Sequence, residues 1–184
     1  MDKIIVWYGS LLFLDWWKKT IKRKLTENDL IYTELLNFKR IWSYTSDIKS
    51  LNDNKLYCWV FLDIEKDESF SINVCGLKVT DNEFDDISLR EKTYDMIDIT
   101  ENIKNPIKWY RYFTAYLKDK NKKCNKEKVI PKKYIDFINE NLKKFDKKFQ
   151  NKYYSTTFWE ENFRKLEWDY IFLDNDINKA TWRI

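Results

Sequence analysis

The sequence predicts a single α+β domain over residues 1–184, built on an antiparallel or mixed sheet that could close into a barrel. Two observations carry this prediction. Most of the first two thirds of the chain consists of short runs rich in β-branched and aromatic residues, with one short helical segment between two of them. From Pro131 onward, apolar residues instead recur at spacings of three and four, which predicts a helical C-terminal segment.

The first half of the chain contains four predicted strands. These are "KIIVWY", which ends at a Gly-Ser pair, then "KRIWSYTS", "KLYCWVFLDIE" and "FSINVCGLKVT". The last carries Gly76 in its interior, where a glycine is typical of a bulge or of a close backbone approach. The segment "LDWWKKTIKRKLTENDLIYTELLNF" is only partly helical in its spacing, so it predicts no single element.

The stretch "TDNEFDDISLREKTYDMIDI" predicts a short helix followed by a strand. An Asp or Asn cap and an acidic first turn favour the helix, and Phe84, Ile87 and Leu89 are expected to face the core. After Pro106, "IKWYRYFTAYLKD" predicts another strand, and "KDKNKKCNKEK" a solvated Lys-rich loop. The segment "PKKYIDFINENLKKFDKKFQNKYYSTT" predicts one long amphipathic helix.

Composition excludes several classes of function. The chain has no histidine, which removes Ser-His-Asp and Cys-His catalysis and histidine-containing metal sites. Its 34 basic and 30 acidic residues leave a net charge of +4, which argues against a nucleic-acid partner. Three cysteines without C-x-x-C spacing argue against a disulfide framework or zinc ribbon and favour a reducing cytoplasm. The apolar run from Ile4 to Leu14 is too short to span a membrane.

Two short features have the residue types that chemistry requires. Gly9 and Ser10 follow a buried strand, and a glycine there lets backbone N–H groups approach an anion or oxyanion closely; an ordinary turn is the alternative. Glu91 closes the predicted helix beside an apolar residue, where partial burial suits a carboxylate to general acid–base work. An ordinary solvent-facing glutamate is the alternative there.

Taken together, the motifs resemble a known family. "VWYGSLL" is similar to the Y-G-S-L loop of the gamma-glutamylcyclotransferase-like proteins, "NFKRIWSY" to their R-x-W segment, and "NVCGLKVTDNEFDDISLREKTYDMIDI" to their G…R-E-x-x-Y block. "PKKYIDFINENLKKFDKKFQNKYYSTT" resembles their late helix, and "FLDNDINKATWRI" the ending of one bacterial branch. The motifs occur in the family's order along nearly the whole chain. Asn141 and Asp146 replace glycines of the family's late helix.

The resemblance implies a small barrel-like mixed sheet with flanking helices and a cavity at one end. It also implies cyclisation of a gamma-glutamyl amine or peptide to 5-oxoproline, with no cofactor and no metal. The role of general acid and base then falls on Glu91, and substrate binding on the loop of Tyr8, Gly9, Ser10 and Leu11. Arg90 and Tyr94 match the family block and are expected to orient the base or the substrate.

Other functions stay open at this point. The main rival is a catalytically silent member of the same fold that binds a small ligand or a partner protein. A nucleic-acid-binding protein, suggested by the lysines between Lys118 and Lys133, fits the balanced charge least well. Trp16 and Trp17 could form a lid, although core packing fits their pattern better. The sequence does not select the gamma-glutamyl compound, nor the oligomeric state.

Overall fold

A computed structural model of the chain describes residues 2–91, 94–117 and 124–173 and confirms the α+β class. Nine strands of these residues form one mixed sheet. They are β1 (Asp2–Trp7), β2 (Leu30–Ser50), β3 (Leu56–Val79), β4 (Tyr94–Asp98), β5 (Tyr110–Leu117), β6 (Lys128–Pro131), β7 (Thr157–Phe158), β8 (Arg164–Leu166) and β9 (Tyr170–Phe172). The helices are α1 (Leu14–Thr20), α2 (Asp81–Arg90), α3 (Lys132–Leu142) and α4 (Lys147–Ser155).

The long antiparallel pair of β2 and β3 organises the sheet, whose main path runs β4-β5-β1-β3-β2-β7. Strand β6 pairs with β3 and β8, and β9 pairs with β2. Strand β1 lies inside the sheet, antiparallel to β3 and parallel to β5. Both faces of β1 are covered, because Ile5 packs in one hydrophobic cluster and Ile4 and Val6 pack in another. All three are therefore fully buried instead of alternating between core and solvent.

Gly76 lies where β1 and β3 approach most closely. It pairs with Val6, and a Cβ atom at this position would lie 2.8 Å from the Cγ2 atom of the fully buried Ile4. Such a distance is a steric clash with a side chain that has little room to move. Gly76 therefore makes room for the Ile4 side chain. The nearest backbone atom, the Ile31 carbonyl oxygen, would lie at an ordinary contact distance of 3.6 Å, so the predicted close backbone approach was wrong.

Helix α2 forms as predicted, but two of its details differ. Its N-cap is Thr80, not an Asp or Asn: the Thr80 hydroxyl accepts from the Glu83 N–H at 3.2 Å, and the Glu83 carboxylate accepts from the Thr80 N–H at 2.9 Å. Ile87 is buried, yet Leu89 is 75% exposed, so its predicted core position was wrong. Two residues further along a helix point about 200° away, which places Leu89 opposite Ile87.

The predicted C-terminal helix is divided into α3 and α4. The break falls at Asp146, whose carboxylate accepts from the Phe149 N–H at 2.8 Å and so starts a new helix. Beyond Ser155 the helical prediction was wrong. The chain there forms β7, β8 and β9, which extend the sheet along β2 and β6.

The prediction against a disulfide was also wrong. Cys58 and Cys124 are paired in a disulfide with Cα atoms 6.4 Å apart, within the usual range for such a bond. The Cys58 N–H donates to the Glu127 carbonyl at 2.9 Å, which brings the chain before β6 alongside β3. The 66-residue separation conceals this proximity in the sequence. Cys75 is buried.

Across the described residues, every helix is too short or too polar to cross a membrane. Trp17 is fully buried and meets the ring of Trp7 edge-on, with centroids 6.5 Å apart. Core packing is therefore confirmed for Trp17, whereas the side chain of Trp16 lies outside the described set.

Candidate functional site

The loop after β1 is tightly folded around Gly9. The Leu12 N–H donates to the Gly9 carbonyl at 3.0 Å and closes a short 3-10 turn over Ser10–Leu12. Gly9 has a φ of −113°, so left-handed freedom does not explain it. A Cβ atom there would lie 3.4 Å from the hydroxyl oxygen of Tyr134, on α3. A larger residue at position 9 would therefore press into the space next to this hydroxyl.

Tyr8 is held at both its backbone and its side chain. Its hydroxyl donates to the Ala115 carbonyl on β5 at 3.1 Å, and its own carbonyl accepts from the Arg40 Nε–H at 2.8 Å. The side chain is almost fully buried. Tyr8 is therefore a fixed wall of the site and does not swing freely.

Glu91 caps the C-terminal end of α2 and is half-buried. Its N–H donates to the Ile87 carbonyl at 2.9 Å, and its carbonyl accepts from the Tyr94 N–H at 2.7 Å. These two bonds turn the chain from α2 into β4 and keep Tyr94 beside the glutamate. The cap thereby fixes the backbone that carries the carboxylate.

Electrostatic interactions connect Glu91 with two tyrosines at the loop. Burial raises the pKa of Tyr8 well above its ordinary value, and the charges of Asp63 and Glu91 and the hydroxyl of Tyr94 raise it further. Burial also raises the pKa of Tyr134 to about 12. Hydrogen bonds from Ser10 lower this pKa, and the negative charge of Glu91 raises it. Glu91 thus raises the pKa of both tyrosines, and Ser10 hydrogen-bonds to Tyr134.

The structure accordingly brings together five of the predicted site residues: Tyr8, Gly9, Ser10, Glu91 and Tyr94. The backbone of Leu11 belongs to the same 3-10 turn. The side chains of Leu11 and Arg90 lie outside the described set, so the orienting role expected of Arg90 stays a prediction. The tail segment 174–184 and the lysines of 118–123 also lie outside it.

Arg40, the arginine of the R-x-W segment, hydrogen-bonds to the loop that follows β1. It is fully buried on β2. Besides binding the Tyr8 carbonyl, its guanidinium donates to the Asn73 carbonyl, to Asn73 Oδ1 at 2.6 Å and to Thr156 Oγ1 at 3.2 Å. It also lies 4.2 Å from the centroid of the Tyr153 ring. Burial lowers the pKa of Arg40 to about 10, which still leaves it charged at neutral pH.

Two further residues of the site were missed by sequence reasoning. Tyr134 was predicted only to lie on the apolar face of a helix. A tyrosine in that pattern does not indicate that its hydroxyl lies next to Gly9. Asp63 is fully buried on β3, within the run "FLDIE", and accepts from the Ser43 hydroxyl at 3.4 Å. One carboxylate inside the otherwise apolar run "LYCWVFLDI" was the signal that could have found it.

One group of described residues has metal-ligating side chains close together, away from the tyrosine site. Asp47, Cys58 and Cys124 place their ligand atoms within 4.8 Å of one another. Because Cys58 and Cys124 are joined to each other, their sulfur atoms are not thiolate ligands. Asp47 instead forms an ion pair with Lys126 at 2.8 Å.

Comparisons with known proteins leave the family unassigned. No protein-family model matches the chain. No curated protein sequence matches it. Among solved structures, the chain is similar to the solution structure of a protein from Arabidopsis thaliana, with a TM-score of 0.43 and 14% identity over 82% of this chain and 89% of that one. A similarity this low assigns no function.

Proposed function

We propose that the protein is a cyclotransferase that converts a gamma-glutamyl amine or peptide into 5-oxoproline and the free amine or amino acid. The observation that supports this most is that Glu91 raises the pKa of both Tyr8 and Tyr134, while Ser10 of the Tyr8–Ser10 loop hydrogen-bonds to Tyr134. The motif resemblance supplies the reaction class. The proposal includes the barrel-like architecture of the gamma-glutamylcyclotransferase-like proteins. It also includes a cytoplasmic location, where the Cys58–Cys124 pair would be held as two thiols.

The reaction is intramolecular. The substrate's α-amino nitrogen attacks its own γ-carbonyl carbon and forms the new C–N bond of the lactam, while the bond from that carbon to the departing nitrogen breaks. The α-ammonium loses two protons in becoming the lactam N–H, and the departing nitrogen gains two in becoming an ammonium. Because both reacting atoms belong to one molecule, correct positioning supplies much of the acceleration.

Glu91 is the proposed proton carrier. Its carboxylate accepts a proton from the α-ammonium and delivers a proton to the departing nitrogen, so it is unchanged after each cycle. Its half-buried position at the end of α2, where two backbone hydrogen bonds fix the residue, suits this role. No cofactor is required for these transfers.

The tyrosines and the loop are the proposed anion-binding part. Tyr8 and Tyr134 are protonated at neutral pH, and burial raises the pKa of both further. Because the Tyr8 hydroxyl already donates to the Ala115 carbonyl, Tyr134 is the proposed donor and Tyr8 a fixed wall beside it. Negative charge develops on the γ-carbonyl oxygen during attack, and donors placed beforehand stabilise it. Ser10 donates to the Tyr134 oxygen and so uses its acceptor side, and in this proposal the Tyr134 O–H donates to the substrate oxygen.

That same contact favours the second candidate, a catalytically silent binding protein. With Ser10 engaged by Tyr134, part of the loop's hydrogen-bonding capacity is already used within the protein. A protein of this kind would hold an amino-acid-like ligand against the tyrosines without cyclising it. Product formation separates the two candidates.

The test is an assay of both products. The purified protein is incubated with gamma-glutamyl dipeptides, gamma-glutamyl amines and glutathione, and 5-oxoproline is detected by mass spectrometry. The matched control is each substrate with its α-amine acetylated, which cannot cyclise. We expect 5-oxoproline and released amine from the free substrates and neither from the acetylated ones. Amine release from both forms would indicate simple hydrolysis and contradict the proposal.

A further inference from the structure

The two cysteines of the disulfide and one carboxylate form a compact group away from the tyrosine site. Asp47 on β2 pairs with Cys58 on β3, and Cys124 lies in the chain before β6. The Oδ1 atom of Asp47 is 3.7 Å from the Cys58 sulfur and 3.9 Å from the Cys124 sulfur. One carboxylate oxygen therefore faces both sulfur atoms.

The ligand chemistry of this group depends on the oxidation state of its sulfur atoms. In the disulfide they are bonded to each other and are poor metal ligands. Reduction breaks that bond and leaves two thiols, and a thiol that gives up its proton is a strong ligand for Zn²⁺. A reducing compartment therefore turns the group into two sulfur ligands beside a carboxylate.

The distances within the group suit a tetrahedral ion. Zn²⁺ binds thiolate sulfur at about 2.3 Å and carboxylate oxygen at about 2.0–2.2 Å, which places tetrahedral ligands about 3.5–3.8 Å from one another. The two sulfur–oxygen distances already lie close to this range. Once reduced, the sulfur atoms must move apart, and side-chain rotation allows this because the Cα atoms are 6.4 Å apart.

Access and charge also suit a divalent cation. Cys58 is fully buried, but Cys124 is half-buried and the side chain of Asp47 is 46% exposed, so an ion can enter from solvent. Lys126 binds the other carboxylate oxygen, Oδ2, at 2.8 Å and leaves Oδ1 toward the sulfur atoms. Two thiolates, this carboxylate and this ammonium together carry two negative charges, which one divalent cation neutralises.

We propose that the reduced protein binds one Zn²⁺ through the Cys58 and Cys124 thiolates and the Asp47 carboxylate, with water in the fourth position. Binding releases the two thiol protons. Oxidation by a small-molecule disulfide reverses it: the thiolates give up two electrons and form the Cys58–Cys124 bond, the oxidant takes two protons from solvent and becomes two thiols, and the ion leaves. Sulfur ligands favour Zn²⁺ over Mg²⁺ and Ca²⁺. This site does not depend on the gamma-glutamyl chemistry proposed above.

The experiment titrates the full chain with Co²⁺, a spectroscopic substitute for Zn²⁺, in the absence of oxygen. A phosphine first reduces the disulfide and is then removed; it becomes a phosphine oxide with the oxygen of one water molecule, whose hydrogens end on the two sulfur atoms. We expect thiolate-to-cobalt charge-transfer absorption that saturates at one ion per chain and disappears when Zn²⁺ is added. The unreduced protein is the control and should show no such absorption. An absent band in the reduced protein, or an equal band in the unreduced one, would overturn the proposal.

The carboxylate ligand is tested by Asp47→Asn. Co²⁺ should bind this variant at least about tenfold more weakly, since losing even an outer-shell partner of a metal site has an effect of that size. Asp136→Asn is the matched control, because it removes another aspartate that pairs with a lysine, Lys132, on the surface. Its Co²⁺ affinity should equal that of the wild type. Equal affinities in both variants would refute the assignment of Asp47.

The sulfur ligands are tested by single replacements. Cys58→Ser and Cys124→Ser should each abolish saturable Co²⁺ binding, and Cys124→Ser is the variant at the half-buried, more tolerant position. Cys75→Ala, at the buried free cysteine, should leave the band unchanged. A band that survives Cys124→Ser, or is lost in Cys75→Ala, would contradict the proposed ligand set.

Glu91→Gln separates this proposal from the proposed function. It should lose 5-oxoproline formation and still bind Co²⁺ like the wild type, because Glu91 is not part of the group. Cys124→Ser should show the opposite pattern and keep 5-oxoproline formation. Loss of the cobalt band in Glu91→Gln would place the ion in the tyrosine site and contradict a second site.

Discussion

At the scale of single residues, Arg40 connects the centre of the sheet to the loop that carries the proposed chemistry. All the hydrogen-bond partners that the structure gives its guanidinium are neutral, and three of them come from different parts of the chain: Tyr8, Asn73 and Thr156. The guanidinium donates to these residues from three separate nitrogen atoms, whereas the three N–H groups of an ammonium all start from one nitrogen. The position therefore requires arginine and not only a positive charge.

Replacing Arg40 with lysine should lower the free energy of unfolding by about 3 kcal/mol, because buried acceptors on Tyr8 and Asn73 lose charged donors. Denaturant unfolding measures this change. Arg164→Lys is the matched control: that side chain is 45% exposed and pairs with Glu127, so its replacement should cost less than about 0.5 kcal/mol. Equal costs at the two positions would mean that the buried contacts of Arg40 stabilise nothing.

At the scale of elements, α2 positions the proposed base. The helix begins at a capping box between Thr80 and Glu83 and ends at Glu91. Because the helix has only ten residues, fraying of its first turn would disturb the end that carries the Glu91 carboxylate. The stability of this short helix is thus coupled to the placement of Glu91.

Thr80→Ala should lower stability by about 1 kcal/mol through loss of the cap, and should also lower the rate of 5-oxoproline formation. Thr26→Ala removes a similar capping box from the 3-10 turn at Glu27–Asp29, away from α2. That control should change stability without changing the rate of the folded protein. A comparable fall in rate for both variants would argue that the cap of α2 has no special connection with the site.

The elements also show how far sequence reasoning reached. Strands with strong β-forming residues, such as "KLYCWVFLDIE", and the capped helix before Glu91 were predicted because their patterns are local. The helix break at Asp146 was missed because apolar spacing continues through it, and a good N-cap residue outweighs that spacing. Strands β7 to β9 are two or three residues long and form by pairing with distant strands, which no local pattern encodes.

The candidate site likewise combines residues predicted from motifs with residues that only the fold brings close. Tyr8, Gly9, Ser10 and Glu91 came from motifs, whereas Asp63 and Tyr134 join them only through the fold. The pairing of Cys58 with Cys124 likewise depends on β6 lying along β3. Contacts between residues far apart in sequence follow from sheet topology, and one sequence alone does not give that topology.

At the scale of the whole molecule, the disulfide should contribute measurably to stability. It closes a loop over a separation of 66 residues, and restricting a loop of this size in the unfolded chain is worth up to about 4 kcal/mol. Replacing both Cys58 and Cys124 with serine should therefore lower the denaturation midpoint under oxidising conditions. With a thiol reductant present, wild type and variant should unfold at nearly the same midpoint. A difference that persists there would assign the effect to packing of the sulfur atoms.

Buried tyrosines should make the protein sensitive to alkali. Burial raises the pKa values of Tyr8, Tyr134 and Tyr153 in the folded state. Below about pH 10 both states are protonated and these groups contribute nothing to the pH dependence. As the pH rises further, the unfolded chain ionises first, so each tyrosine lowers the unfolding free energy by about 1.4 kcal/mol per pH unit until its folded-state pKa is reached.

Urea unfolding at a series of alkaline pH values measures this slope. Tyr153→Phe removes one of the three groups and should make the fall in stability shallower by about 1.4 kcal/mol per pH unit. Tyr154→Phe, at a half-exposed neighbour, is the control and should have a smaller effect. An unchanged slope in Tyr153→Phe would mean that this phenol does not stay protonated in the folded protein.

The measurement that tests the central claim most directly is the yield of 5-oxoproline from a gamma-glutamyl amine with wild-type protein, Glu91→Gln and Glu101→Gln. Glu101 is an exposed glutamate in the 3-10 turn at Thr100–Asn102, so it controls for the loss of one negative charge. We expect product from the wild type and from Glu101→Gln, and a loss of at least about 100-fold in Glu91→Gln. Equal yields from all three proteins would contradict the role of Glu91, and no product from any would leave the tyrosine site as a binding site only.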